Sequence, residues 1–179
     1  MTPHARPAAG SHGATTGERE LRDAFGAFAT GVTVVTTVDG EGTYQGVTAN
    51  SFSSLSLDPP LVLWSQALRA RSFPAFRDAQ HFVVNILAAD QLEVSRRFAA
   101  SGPDKFAGLT IQRGRTGLPA LPGCCAWLEC RKVAMHPGGD HVIHVGEVLS
   151  FEHHQRPPLV FFRGRYGVAA EHPDLSPAA

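Results

Sequence analysis

From residue 18 onward, apolar positions recur with two different periods, and the changes between them divide the chain into elements. Within ERELRDAFGAFAT (18–30), Leu21, Phe25 and Phe28 return at helical spacing, which predicts a short amphipathic helix closed by Thr30-Gly31. The next stretch, VTVVTTV (32–38), is β-branched throughout and predicts a strand. Asp39-Gly40 predicts a turn, lengthened by Glu41-Gly42, so that 43–51 returns antiparallel. A strand is expected at 61–65, a short helix at 72–79 with Pro74 in its first turn, and a strand at 81–87. Asp90 is placed to cap a helix running to about Phe98. Glycine and proline make 99–125 irregular, and three further strands are expected near 126–136, 141–152 and 159–162.

Strands outnumber helices, no strand–helix–strand alternation recurs, and there is no internal repeat. The pattern predicts a mainly β fold, an antiparallel barrel with a few short helical insertions. Residues 1–17 lack periodicity and read as a disordered leader, 18–170 as the folded domain, and 171–179, with Pro173 and Pro177, as a flexible tail.

Composition narrows the function classes. The 179 residues carry 16 Lys plus Arg against 16 Asp plus Glu, for a formal net charge of zero. That balance argues against a nucleic-acid partner and leaves self-association unopposed by charge. Cys124, Cys125 and Cys130 are odd in number and lack C-x-x-C spacing, so neither a disulfide framework nor a zinc site is expected. No apolar run approaches the ~20 residues of a membrane helix, and the N-terminus has no signal-peptide core. A cytoplasmic protein without membrane contact is the expectation.

One stretch does not fit this bland picture. In GVTANSFSSLSLDPPLVLWS (46–65), hydroxyl and amide side chains crowd the first half, almost without charge. No G-x-G-x-x-G, Walker-type loop or G-x-S-x-G elbow exists anywhere in the chain. A phosphate would therefore be held by hydroxyls, backbone N–H groups and an arginine, which 46–54 with Arg69, Arg71 and Ser72 can supply. A polar loop capped by its own side chains explains the composition equally well at this point. His141 and His144, three apart in a predicted strand, are sent to opposite faces, and no helical H-x-x-x-H occurs, so no metal is expected.

Six segments, FATGVTVVTT (28–37), the run 46–65, FVVNIL (82–87), DKF (104–106), GGDHVIHVGEV (138–148) and PLVFFRGRYG (158–167), together resemble the flavin reductase family. Its members are short-chain flavin:NAD(P)H oxidoreductases built on an FMN-binding split barrel. The resemblance implies an antiparallel split β-barrel, a homodimer with the flavin in an interfacial cleft, and use of NADH or NADPH to reduce FAD or FMN. It also implies a separate flavin-dependent monooxygenase that receives the reduced flavin. Carried across by position, Thr33 and Val34 would flank the flavin, and Thr48, Ala49, Asn50 and Ser51, with Ser54 nearby, would line its ring and ribityl chain. Ser65, Arg71 and Ser72 would face the phosphate, Phe106 would close the cleft, and Tyr166 and Arg163 would approach from the C-terminal strand. His141 would stand beside the nicotinamide as the catalytic-site residue, acting by position. Two positions depart from the family pattern: Arg71-Ser72 replaces a Ser/Thr pair, and His144 stands where an apolar or aromatic residue is common. Two alternatives share the fold: a flavoprotein that retains FMN and acts on an organic substrate, and a non-catalytic flavin or haem carrier.

Overall fold

The structure is a computed structural model that describes residues 16–102, 104–172 and 174. Its centre is a seven-stranded, wholly antiparallel sheet. In chain order the strands are β1 (Thr30–Gly31), β2 (Thr33–Val38), β3 (Tyr44–Ala49), β4 (Ser53–Leu57), β5 (Pro60–Ala67), β6 (His81–Ile86), β7 (Gln112–Arg113), β8 (Pro119–Ala120), β9 (Ala126–Gly138), β10 (His141–His153), β11 (Leu159–Phe162) and β12 (Arg165–Val168). Among the described residues three helices accompany them: α1 (Thr16–Gly26) precedes β1, α2 (Phe73–Asp78) joins β5 to β6, and α3 (Leu92–Ala99) follows β6. The main sheet runs β3-β2-β6-β9-β10-β5-β4, while β1-β11-β12 and β7-β8 form two small sheets.

The β-branched run of β2 is buried on both faces. Successive side chains of a strand point to opposite sides. Val35 accordingly joins Val62, Trp64, Phe82, Val84 and Cys130 in one apolar cluster. Val34 joins Val32, Leu87, Phe98, Phe106 and Leu159 in another. The threonines between them survive burial by donating to backbone carbonyls: Thr36 to Pro119 O (2.5 Å) and Thr37 to His81 O (2.8 Å). Asn85 is likewise satisfied, donating to Val34 O (2.9 Å) and accepting from Leu121 N (2.8 Å).

The sheet curls until β3 approaches β5, but no backbone ladder joins those two strands among the described residues. A side chain spans the seam instead. Ser51 Oγ accepts from Ser65 N at 2.9 Å and donates to Ser65 O at 3.0 Å. The result is a barrel split along one side. Two glycines permit its close approaches. A Cβ at Gly146 would stand 2.4 Å from the Phe82 ring, and one at Gly46 would stand 2.5 Å from the ring of Phe98.

The predicted mainly β, antiparallel fold stands, with several local corrections. Asp90 does not cap α3; it pairs with Arg156 at 2.5 Å, and Gln91 occupies the cap position without a side-chain capping bond. Thr30-Gly31 does not merely end a helix but forms β1 against β11. Strands β4 and β12 were not expected, because short Ser-rich and Gly-containing segments carry little strand signal. The predicted helix exists as α1, yet Leu21 (52% exposed), Phe25 (70%) and the following Phe28 (78%) leave its apolar face uncovered. It begins at Thr16, and the rest of the expected leader, like Pro173 and Pro177 of the expected tail, lies outside the described residues.

Candidate functional site

Where the barrel is split, a groove runs along the seam in two adjoining halves. The first, about 430 Å³, is walled by Thr48, Asn50 and Ser51 on one side, by Ser65 and Gln66 on the other, and by Gly138 and His141 at its mouth. The second, about 520 Å³, is walled by Arg71, Ser72, Lys105 and Phe106. Val47 and Ala70 line both halves, which therefore adjoin along these two residues. Beyond Arg71 a further hollow is walled by Asp39, Glu41 and Asp78.

The two halves differ in electrostatic character. The first offers uncharged donors and acceptors. Among the described residues, the Asn50 carboxamide has no hydrogen-bond partner and is exposed to the groove. At the mouth, the Asp140 carboxylate meets His141 Nδ1 at 2.7 Å, which leaves the other ring nitrogen for the groove. The hydrogen bond from His141, and then its charge, hold the exposed Asp140 carboxyl below its usual range. The second half offers two cations, Arg71 and Lys105, with the Asp104 carboxylate, which accepts from Phe106 N at 2.9 Å, on the same wall. Lys105 Nζ donates to Phe98 O at 2.8 Å and Gly46 O at 3.3 Å, and partial burial lowers its pKa. Arg71 forms no ion pair among the described residues. Such a cleft fits a molecule that is polar but neutral at one end and anionic at the other.

The residues implied by the resemblance are not all brought to this groove. Thr48, Ala49, Asn50, Ser51, Ser65 and His141 line its first half. Arg71, Ser72 and Phe106 line its second half, with Phe106 edge-on to Phe98 at 4.9 Å. Thr48 and Ser51 spend their hydroxyls on the protein, Thr48 donating to Ser95 O at 2.7 Å. Thr33 lies beneath the groove floor, donating to Ala49 O at 2.7 Å, and Val34 is sealed in the core. Ser54 is exposed on the edge strand β4 and lines neither half. Tyr166 reaches the back of Thr48 indirectly, its hydroxyl 2.9 Å from Ser95 Oγ. Arg163 lies elsewhere, in the β11–β12 turn, where its N–H donates to Gly26 O at 2.8 Å and its guanidinium covers the Phe162 ring.

Gln66, Trp64 and Lys105 are among the groove residues that escaped sequence reasoning. The first two sit in a strand whose apolar pattern masks them, and Lys105 needs the tertiary fold to place its amine against Gly46 and Phe98. His144 proves to be a packed residue, fully buried against Trp64, on the face opposite His141.

Comparison with known proteins agrees with this geometry. Residues 25–170 match the model of the flavin reductase like domain. The chain is 49% identical over 149 residues to the FMN reductase (NADH) SmoA of Agrobacterium fabrum, covering 83% of this chain and 84% of that one. The reductase component of the flavin-dependent trigonelline monooxygenase of Acinetobacter baylyi is 45% identical over 86% of this chain, which spans only 49% of that relative. Among solved structures, nitrilotriacetate monooxygenase component B from Mycobacterium thermoresistibile superposes with a TM-score of 0.83 at 38% identity, covering 91% of both chains. The NADH:FAD oxidoreductase SgcE6 of Streptomyces globisporus, in complex with NAD and FAD fragments, superposes with a TM-score of 0.81 at 37% identity, covering 93% of this chain and all of that one. A mainly β, split antiparallel sheet, a seam groove with a neutral and a cationic half, and these matches converge: the chain belongs to the flavin reductase family.

Proposed function

We propose that the protein is an NAD(P)H:flavin oxidoreductase that reduces FAD or FMN and passes the reduced flavin to a separate monooxygenase. The observation that carries this reading is the pair of adjoining hollows along the seam, the first neutral and the second holding Arg71 and Lys105. A flavin ring needs several uncharged hydrogen-bonding partners, and its phosphate needs cations and donors. The bound flavin supplies the hydride acceptor and the reduced nicotinamide the hydride, so the protein is left to bind, orient and exclude. Asn50 and the backbone around Ala49 and Ser51 meet the ring edge, while Arg71, Ser72 and Lys105 meet the phosphate. His141, steadied by Asp140, borders the open mouth through which the nicotinamide enters, and its role is positional.

The reductase consumes NADH or NADPH only when free FAD or FMN is added, which the absorbance of the reduced nicotinamide reads directly. A tightly retained yellow cofactor with no such consumption would favour the carrier reading instead. Retained FMN with turnover on an organic substrate would favour the second alternative. The active form is a homodimer in the cytoplasm. The uncovered apolar side chains of Phe25, Phe28, Leu57 and Phe151 support the dimer, since each exposes more than half its surface in the single chain. Light scattering at micromolar concentration tests it, and an active monomer would refute it.

A further inference from the structure

Three buried polar side chains run in line from the barrel core to the groove wall. His144 lies flat on the Trp64 indole, with ring centroids 4.4 Å apart and planes 13° apart, and Phe76 packs against it edge-on. His144 Nε2 stands 3.1 Å from Gln66 Oε1, and Gln66 Nε2 stands 3.1 Å from Ser72 Oγ. Among the described residues His144 Nδ1 is buried without a partner. Ser72 precedes α2 but makes no side-chain capping bond, and it lines the cationic half of the groove.

The chain can be polarised in two senses. In one, His144 donates from Nε2 to the Gln66 carbonyl and the Gln66 amide donates to Ser72. In the other, both bonds reverse: the Gln66 amide donates to Nε2, Nδ1 carries the proton, and Ser72 donates to Gln66. The second sense buries an N–H against Trp64 and Phe76 with no acceptor, whereas the first leaves only an idle lone pair there. An orphaned buried N–H is the rarer and costlier of the two defects. Protonation of both nitrogens is opposed by burial and by the Lys132 charge, which lower the His144 pKa to about 4. The first sense prevails. Ser72 Oγ then already accepts from Gln66, and neither Gln66 nor α2 uses its proton.

We propose that His144 is a positioning residue that, through Gln66, commits the Ser72 hydroxyl to donate to a phosphate oxygen of the bound flavin nucleotide. This rests on the flavin reading of the groove and adds a source of selectivity for phosphorylated flavin over riboflavin. The neighbouring Arg71 and Lys105 attract an anion by charge, whereas Ser72 gives direction.

The test is the dissociation constants of FMN and riboflavin, read by quenching of flavin fluorescence, for wild type, Ser72→Ala, His144→Phe and the double variant. Ser72→Ala should weaken FMN about tenfold, as expected for one hydrogen bond to a charged group, and riboflavin less than about twofold. His144→Phe should reproduce part of that FMN-selective loss, because no donor then holds the Gln66 carbonyl turned away from Ser72 and the two amide orientations compete for its hydroxyl. It should add almost nothing to Ser72→Ala. His144→Phe binding FMN like wild type, losing both flavins equally, or adding its full loss to Ser72→Ala would overturn the relay. Wild type quenching neither flavin would instead overturn the groove assignment itself. If His144→Phe does not fold, Gln66→Leu cuts the chain at its middle. It should weaken FMN about threefold more than riboflavin, since Ser72 keeps its proton but loses the bond that aims it; unchanged FMN affinity, or an equal loss of both flavins, refutes the proposal there.

Discussion

Replacing Glu129 by glutamine should cost about 3 kcal/mol of stability, although the side chain keeps its shape. Glu129 is fully buried on β9, and four donors converge on its carboxylate. Oε1 accepts from Thr116 N at 2.7 Å and from the Thr116 hydroxyl, and Oε2 accepts from Arg115 N at 2.9 Å and Ser150 Oγ at 2.8 Å. The loop closes onto the carboxylate only because residue 114 is glycine: a Cβ there would stand 2.7 Å from Oε1. Each oxygen thus serves one backbone N–H and one hydroxyl. A glutamine presents an NH₂ to one of these pairs. The hydroxyl can rotate to accept from it, but the backbone N–H cannot. One buried donor is orphaned, at about 1–3 kcal/mol, and the surviving bonds lose their charge assistance. For a chain of this size about 3 kcal/mol corresponds to a Tm lower by roughly 6–12 °C. Burial pushes the Glu129 pKa up, but the hydrogen bonds from Thr116, Ser150 and Arg115 outweigh it and hold the group below its ordinary value of 4.5. The native carboxylate therefore contributes fully above pH 4.5, and its contribution fades as pH falls through the folded pKa. The gap between the two proteins should close on acidification. Equal melting temperatures at pH 7, or a gap that persists undiminished in acid, would refute the argument.

Other perturbations separate groove from scaffold. Asn50→Ala should weaken flavin binding by about 1–2 kcal/mol with little change in Tm, because the carboxamide has no protein partner to lose; a collapsed Tm with intact affinity would make Asn50 structural. His141→Ala should lower kcat or raise the nicotinamide KM while leaving flavin affinity nearly intact, with partial rescue by Asn; kinetics identical to wild type would remove His141 from the site. Gly46→Ala should destabilise by about 1–3 kcal/mol, since the added methyl meets the fully buried Phe98 ring; a thermal melt matching wild type would show that Phe98 can yield.

The strands with dense β-branching were legible because burial on both faces demands that composition: β2 and β6 appear where VTVVTT and FVVNI stand. Elements of ambiguous chemistry were not. SSLSL pairs with β5 only because the Asp58-Pro59-Pro60 corner turns it back, and RYGV pairs with β11 across Arg163-Gly164, whose positive φ angles (48° and 74°) make a tight hairpin. Asp90 looked like a cap because acidic residues favour that position, but Arg156, far away in sequence, outbids α3 for its carboxylate. The groove was legible in part from the hydroxyls of 46–54 with Arg71 and Ser72, and otherwise through family resemblance. Its two walls lie about 15 residues apart in sequence at β3 and β5, yet the third, at His141, is supplied by a hairpin whose placement depends on how far the sheet curls. Gly46 is small for a scaffold reason that sequence alone does not show: an added Cβ would meet the Phe98 ring.

The seam also explains why the run 46–54 is so rich in hydroxyls and so poor in charge. A closed barrel would pair every backbone group of β3 with a neighbouring strand, but among the described residues β3 pairs only with β2. The other edge must be managed by side chains. Ser51 bridges to Ser65, and Thr48 ties the edge to α3 through Ser95, so two hydroxyls replace part of a missing ladder. Charged side chains there would close the seam by pairing or hold it open by repulsion. Small neutral ones stitch it at intervals and leave the backbone between the stitches facing the groove. The same residues therefore perform a structural task and, on the proposed function, a binding one, so that the two readings of this run, self-capped loop and ligand wall, are compatible. A single substitution can distinguish them only where, as at Asn50, the side chain is not also a stitch.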